Sequence, residues 1–504
     1  MRHPRWFALL ILALGCQGEL ITDQFPGTNQ PPTPFVPGLA LRLGGTASDQ
    51  VTAMVLDPGG GFYLAGSFAG SADFAGTGIN ALTSLGGTDG FLARYSATGA
   101  LVWALRFGST QNEQVNAVAR DAAGNLYVGG SFEGAALFGP TGGGVIQNSA
   151  GGSDAFVAKF TATGVFLWSR RFGGTEADEV SGLVVDGSGG VLAGGTFNGF
   201  ANSAPSGGTA VQSNGSSDGF VLSLGPDGAI RWTLPIGGTQ ADAVSAVAIT
   251  STGKIVVAGT FRGGADFARL GGTVTALNAV GGADLFVAVY SSDGSFERVR
   301  AAGGPNDETL AAGGLALDNQ DAALLTGGFS GSVDFDPGLG LVVRTSIGTN
   351  PNLFLVRYDA TGAILAVTTF GGLGSVTPSR AAVNSAGDVF LTGSFSGPID
   401  FDPGPGLLVR ASLGQQGVTD AFVVRLTAGG DLVWVAQVGE ATSAAGRANR
   451  GAVVALDILG NVILAGGFFG SPDFDPGMNA FRLTSVGESD GFVVKLTSSG
   501  ALSP

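Results

Sequence analysis

Carboxylates are the side chains whose repetition in this sequence could do chemistry. DFDPG stands at 334–338, 400–404 and 473–477. In an extended segment Asp334 and Asp336 project to one side, about 6–7 Å apart, while Phe335 points inward. Asp400 with Asp402, and Asp473 with Asp475, repeat the arrangement. Two carboxylates so close either share a cation or belong to a proline turn. Calcium suits the first case, since it takes about six to eight oxygens, turn carbonyls included. The second needs only turn chemistry. Other copies read ADFAG or ADFAR, and the ligand series of an EF-hand is missing.

Two further sets of acids recur. Asp89, Asp154, Asp218, Asp284, Asp420 and Asp490 each precede an apolar run, and Asn352 takes the equivalent place in one copy. Asparagine carries no charge but still accepts hydrogen bonds, so capping of turn N–H groups accounts for this set better than catalysis. Glu113, Asp178, Glu179, Asp242, Asp307 and Glu308 fall in links between repeats. They are candidates for a binding rim, or for the two carboxyls of a glycosidase or lyase. Spread over separate repeats, they also fit solvating charge.

Other chemistries are excluded by composition. The only histidine is His3 and the only cysteine Cys16. Residues 1–15 read as an export signal: Arg2 and Arg5 give a positive start, and Trp6 to Leu14 form an apolar run too short to span a bilayer. Its removal takes the histidine with it, and with it any Ser-His-Asp triad, Cys-His pair or histidine-bound metal. The chain carries 39 acidic against 24 basic residues, which speaks against nucleic acid as a partner.

The elements that must position these acids come from an internal period. A phrase such as GALVWALRFGS ends near Gly44, Gly108, Gly173, Gly237, Gly303, Gly371 and Gly439, at spacings of 64 to 68 residues. Repetition of this kind outranks local propensity. Within one unit VNAVARD, LYVGGSF, AFVAKF and VFLWSRRF alternate with period two between turn residues, which gives four strands. The turn before the fourth strand ends in glycine in all seven copies, Gly99 to Gly500, as a tight hairpin with a positive-φ residue demands. The first hairpin carries glycine in six units, with Asp321 as the exception. Short extra strands are expected in 341–346, 407–412 and 481–485, where bulky β-branched residues gather. Trp103, Trp168, Trp232 and Trp434 fall on fourth strands and read as packing residues.

Seven third strands are present, but the chain stops before the seventh fourth strand. Leu39 to Leu43, at the other end, has the sequence of that missing strand. The count balances when the two ends pair, which joins a circle. The expected fold is all-β: a single seven-bladed β-propeller over 38–504, with four-stranded antiparallel blades, closed by the N-terminal strand completing the last blade.

The units AVARDAAGNLYVGGSF, GGSDAFVAKF and GVFLWSRRFGG resemble the seven-bladed β-propeller (SBBP) repeats of bacterial surface proteins, across roughly 38–500. Units five and six depart most, with Asn352 for aspartate and with VTPSRAAVNSAGD lacking the acidic loop. The resemblance implies a fold and a surface location. Ala13-Leu14-Gly15-Cys16 resembles a lipoprotein lipobox, which implies lipid attachment at Cys16, and Gln17 after it implies release to the outer membrane. Residues 16–37 then read as a lipidated, proline-rich tether. The functional expectation is a lipid-anchored, non-enzymatic cell-surface module binding protein or glycan, with calcium as its one candidate cofactor. A carboxylate-dependent glycosidase or lyase, and a structural envelope protein, are the alternatives.

Overall fold

The computed structural model describes residues 39–76, 81–140, 143–202, 210–268, 275–336, 340–441, 446–475 and 480–502. The export signal at 1–15, Cys16 and the tether at 16–37 lie outside the described residues. The described chain is all-β, its strands pair antiparallel, one isolated bridge, Thr419↔Ala448, is parallel, and there is no helix among the described residues. The second and third strands of a unit are buried along nearly their whole length, on both faces, whereas the first and fourth alternate buried with more exposed residues.

Unit two shows the plan. Glu113–Arg120 pairs with Leu126–Phe132, which pairs with Asp154–Phe160, which pairs with Phe166–Phe172. The same order recurs in the other units. In unit seven the fourth place is filled by Ala40–Gly45, in register Ala40↔Val494 to Leu43↔Gly491 with Asp490–Leu496. The glycines that close the third hairpin all take positive φ, from Gly99 at 78° to Gly430 at 94°. Asp321, at φ 60°, is the single non-glycine residue of this kind among those described. Its carboxylate repays the strain by accepting from Ser251 N at 2.8 Å and Ser251 Oγ at 2.6 Å.

Two features join units. At every link the Gly-Gly pair or its variant forms a short bridge to an extension of the next unit's second strand, as in Gly44↔Asp73, Gly108↔Leu137 and Gly439↔Asp473. The first strands also touch in chain order, and Arg450–Leu456 of unit seven contacts Asp49–Leu56 of unit one. Each first strand carries a β-bulge. Thr52, Asn116, Ser181, Ser245 and Ala452 are single extra residues, whereas unit six inserts Ser379 and Arg380 and unit five inserts 311–314. A bulge re-aims its side chain and leaves a backbone group unpaired.

The core lies between adjacent sheets. Phe329, Phe335 and Phe354 are buried and meet edge to face, with Phe335–Phe354 centroids 5.2 Å apart. Equivalent trios are Phe68, Phe74 and Phe91; Phe132, Phe138 and Phe156; Phe261, Phe267 and Phe286; Phe395, Phe401 and Phe422; and Phe468, Phe474 and Phe492. The phenylalanine of DFDPG is therefore a core residue, which gives the motif a packing reason to recur.

Of the extra strands expected in the long connections, Val343–Thr345 pairs with Ser332–Asp334, and Val409–Ala411 with Pro398–Asp400. At 481–485 there is only a bridge, Asp473↔Arg482.

Candidate functional site

Six of the seven links bring polar side chains together in the interior, and in five of these both partners are acids. The aspartate before the third strand and the acid 24 residues later, at the start of the next first strand, converge on the first glycine of the link. A methyl group on Gly173 would lie 2.3 Å from Asp154 Oδ1 and 2.5 Å from Asp178 Oδ2. On Gly44 it would meet Asp49 Oδ2 at 2.6 Å and Asp490 Oδ1 at 2.7 Å, and on Gly237 both Asp218 and Asp242 at 2.7 Å. Asp89 faces Glu113 across Gly108 in the same way. All these carboxyls are buried. Glycine is required there because two carboxyl groups already occupy the space.

Each acid of the first strand caps the turn of its own link. Gly45 N donates to Asp49 at 2.7 Å, Ser109 N to Glu113 at 2.7 Å, Gly174 N to Asp178 at 2.8 Å, Gly238 N to Asp242 at 2.7 Å and Gly304 N to Glu308 at 3.0 Å. The partner acids accept from the backbone N–H four residues earlier, for example Ala150 N to Asp154 at 2.8 Å and Val280 N to Asp284 at 2.9 Å. Arg42, Arg106 and Arg171 add ion pairs to Asp490, Asp89 and Asp154.

Burial is the main force on these groups, and it works against the N–H donors. It pushes Asp49, Glu113 and Asp178 up to about 7 and Glu308 up to about 8, and the facing carboxylate adds to the rise in each case. Asp89 rises to about 6 for the same first cause. Two buried carboxyls at such range disfavour each other's charge, so both are biased toward the protonated form. The links into units six and seven differ: at the first Asn352 of unit five stands in the place of the aspartate with Val376 opposite, and at the second Asn449, buried, takes the place of the first-strand acid.

Four of the six acids expected on a rim, Glu113, Asp178, Asp242 and Glu308, are thus interior turn caps and are not displayed to a ligand. The physical reason is that a tight glycine link leaves N–H groups needing acceptors, and a short acid five residues on supplies them. Asp307 is exposed and paired with Arg262 at 2.6 Å. Glu179 is exposed at the start of its first strand. The constant 24-residue spacing of the two acid sets was the sequence signal for their meeting.

The DFDPG aspartates are turn acceptors. Asp334 Oδ1 accepts from Asp336 N at 3.0 Å and Val342 N at 2.9 Å. Asp400 accepts likewise from Asp402 N and Leu408 N, and Asp473 from Asp475 N and Phe481 N. Asp402 accepts from Gly404 N at 2.8 Å. Asp73 and Asp266 hold the same turn in units one and four, where DFDPG is absent. Among the described residues no group of three or more His, Cys, Asp or Glu side chains is arranged to hold a metal ion.

Trp103, Trp168 and Trp434 lie against Gly164, Gly228 and Gly500, the third-hairpin glycines of the following units. Trp168 Nε1 donates to Pro226 O at 3.0 Å and Trp434 Nε1 to Ser498 O at 3.1 Å. They are contacts between units.

At equivalent register positions near the start of the first strands stand Gln50, Gln114, Glu179, Ala243, Thr309, Thr377 and Arg450, all exposed except the half-buried Ala243. Deeper, the bulge residues link strands through their side chains, with Thr52 Oγ1 donating to Val115 O at 2.5 Å and Asn116 Nδ2 to Val180 O at 2.9 Å. Arg380, from the bulge of unit six, reaches the Asn116 carbonyl of unit two at 2.8 Å. Arg450 Nε donates to Ser379 Oγ at 3.4 Å. Sequence reasoning passed over both arginines; a charge inside an otherwise apolar, small-residue strand was the available signal.

No family model matches the chain. It is 29% identical over 374 residues to Regulatory protein FlaEY of Caulobacter vibrioides, covering 69% of this chain and 36% of that protein. It is 22% identical over 474 residues to an uncharacterized WD repeat-containing protein of Acanthamoeba polyphaga mimivirus, covering 79% and 34%. The chain spans about a third of the length of these curated relatives. Among solved structures it overlaps puromycin hydrolase at a TM-score of 0.34 and 15% identity, over 84% of this chain and 59% of that one.

Proposed function

We propose that the chain is an exported, lipid-anchored seven-bladed β-propeller of the SBBP-repeat kind, acting as a non-enzymatic binding or scaffold module for a protein or glycan. The seven four-strand units, their cyclic first-strand contacts and the pairing of Ala40–Gly45 with Asp490–Leu496 support the ring. The likeness to a WD repeat-containing protein is in keeping with it.

One observation carries the choice of binding over catalysis: the acids that come closest together are spent inside the fold. A glycosidase sets two carboxyls about 5–10 Å apart around a sugar. Here Asp154 with Asp178, and Asp49 with Asp490, face each other across a single glycine with no room for a ring. The name of the Caulobacter relative, a regulatory protein, accords with a module that acts by binding.

The test has two arms. The purified domain is titrated calorimetrically against a panel of surface polysaccharides, with chromatographic detection of products. Binding without turnover is expected; turnover abolished by Glu113→Gln or Asp178→Asn overturns the reading. Fatty-acid labelling in cells should mark the wild-type chain and not Cys16→Ser. Equal labelling, or none in either, removes the lipid anchor.

A further inference from the structure

The protein is strongly acidic, and most of its buried or half-buried cations sit on a carboxylate. Arg380 and Arg450 do not: neither has an ion pair among the described residues, and both stand on first strands, which on the ring reading line its axis. Arg380 is the deeper. Its guanidinium crosses from unit six to the main-chain carbonyl of Asn116 in unit two, 264 positions away in sequence. It lies over Gly313 of unit five, where a methyl group would come 2.9 Å from Nε and 3.0 Å from Cζ. Gly313 takes φ 69°, a conformation that favours glycine.

Units five and six are the two that depart most from the repeat, and their departures have one joint effect. The four-residue bulge of unit five clears space, and the two-residue bulge of unit six fills it with a guanidinium. Arg450 stands at the mouth one unit further on, anchored to Ser379 beside Arg380. The two like charges are close enough that Arg450, after burial, helps to pull Arg380 down to about 10. At neutral pH both remain charged. Holding two cations together without a counter-ion is costly inside a fold, and an anion relieves that cost.

We infer that the mouth of the axial channel is an oxyanion-binding site in which Arg380 and Arg450 hold a carboxylate or phosphate group of a small ligand or chain end. Arginine suits this task because its planar fork meets such groups with two parallel hydrogen bonds. Gln50 and Thr377 flank Arg450 at the mouth and can donate to the remaining oxygens. Glu179, on a different part of the wall, is the only carboxylate of that tier and disfavours a second anion there. On the ring reading the site opens on the side of the unit-to-unit links, beside the exposed Arg450.

This inference rests on the ring reading. The probes are citrate and inorganic phosphate, titrated calorimetrically into the purified domain at physiological ionic strength. Arg380→Gln and Arg450→Gln should each weaken binding by roughly tenfold or more, as loss of a charge-assisted hydrogen bond implies. Arg447→Gln, an exposed arginine resting on Phe469, should change nothing, and Glu179→Gln should tighten binding. Affinity for citrate alone assigns a carboxylate, affinity for phosphate alone a phosphate, and affinity for both a general oxyanion site. No binding of either at millimolar concentration, or binding indifferent to both arginine substitutions, overturns the inference. If the thermal transition is normal in that case, the ring reading stands and only the site is lost.

Discussion

The buried acid pairs should make this protein most stable under mildly acidic conditions. A carboxyl whose folded pKa lies above its unfolded value binds more protons in the folded state, so its stabilisation is full below the unfolded pKa and is lost as pH rises through the folded one. For Asp49, Glu113, Asp178 and Glu308 that window runs from about 4 to about 7 or 8. At about 1.4 kcal/mol per pKa unit each rise is worth roughly 3–5 kcal/mol. Relaxation and water entry more than halve this, leaving about 1–2 kcal/mol per pair and of order 5 kcal/mol for the four, a large share of the ~5–15 kcal/mol that holds a domain folded. The melting temperature should therefore fall by roughly 5–10 °C between pH 5 and pH 8.5. Glu113→Gln or Asp178→Asn, which mimic the protonated acid, should stabilise at pH 8.5, be nearly neutral at pH 5 and flatten the profile. Asn449 is the chain's own instance of that exchange. Calorimetric melting of the wild type and both variants across this range is the assay. A melting temperature that is flat or rises from pH 5 to 8.5, or amide variants equally destabilised at both ends, would refute the reasoning.

Deleting 39–45 should lower the melting temperature sharply, since it leaves Asp490–Leu496 as a bare edge and removes the Arg42–Asp490 ion pair; an unchanged transition by circular dichroism would show that the seventh unit stands without its N-terminal partner. Phe335→Ala should cost about 3–5 kcal/mol in a urea titration, and Asp334→Ala about 1–2 kcal/mol through two orphaned turn N–H groups. Millimolar calcium should leave the melting temperature of the wild type unmoved, and a rise that Asp334→Ala and Asp402→Ala abolish would restore calcium to the DFDPG turn.

Much of the architecture could be read from residues because repetition amplifies weak signals. A single SATG or TATG is an ordinary turn; seven such turns at a fixed period specify a hairpin in every unit. The N-terminal strand was legible for the same reason, as a fourth strand displaced from its copy. The site was less legible. Asp89 and Glu113 belong to different strands of different units, and only the fold shows that both reach Gly108. The first-strand bulges left no trace in the pattern, since one extra small residue such as Thr52 or Ser245 hardly interrupts an apolar run. Arg380 was passed over, because its contacts with units two and five are ones that no local reading supplies.

The pairing of Ala40–Gly45 with Asp490–Leu496 also sets a timetable. Ala40–Gly45 must wait for a strand some 450 residues later in the chain before its pairing can form. During that interval units one to six can fold on local contacts while the two ends remain exposed strand edges, the kind of surface that invites pairing with another chain. Completion is a late, long-range closure whose entropic cost grows only slowly with length. High local concentration of the chain would thus favour swapped dimers over open monomers whenever the closing strand arrives late.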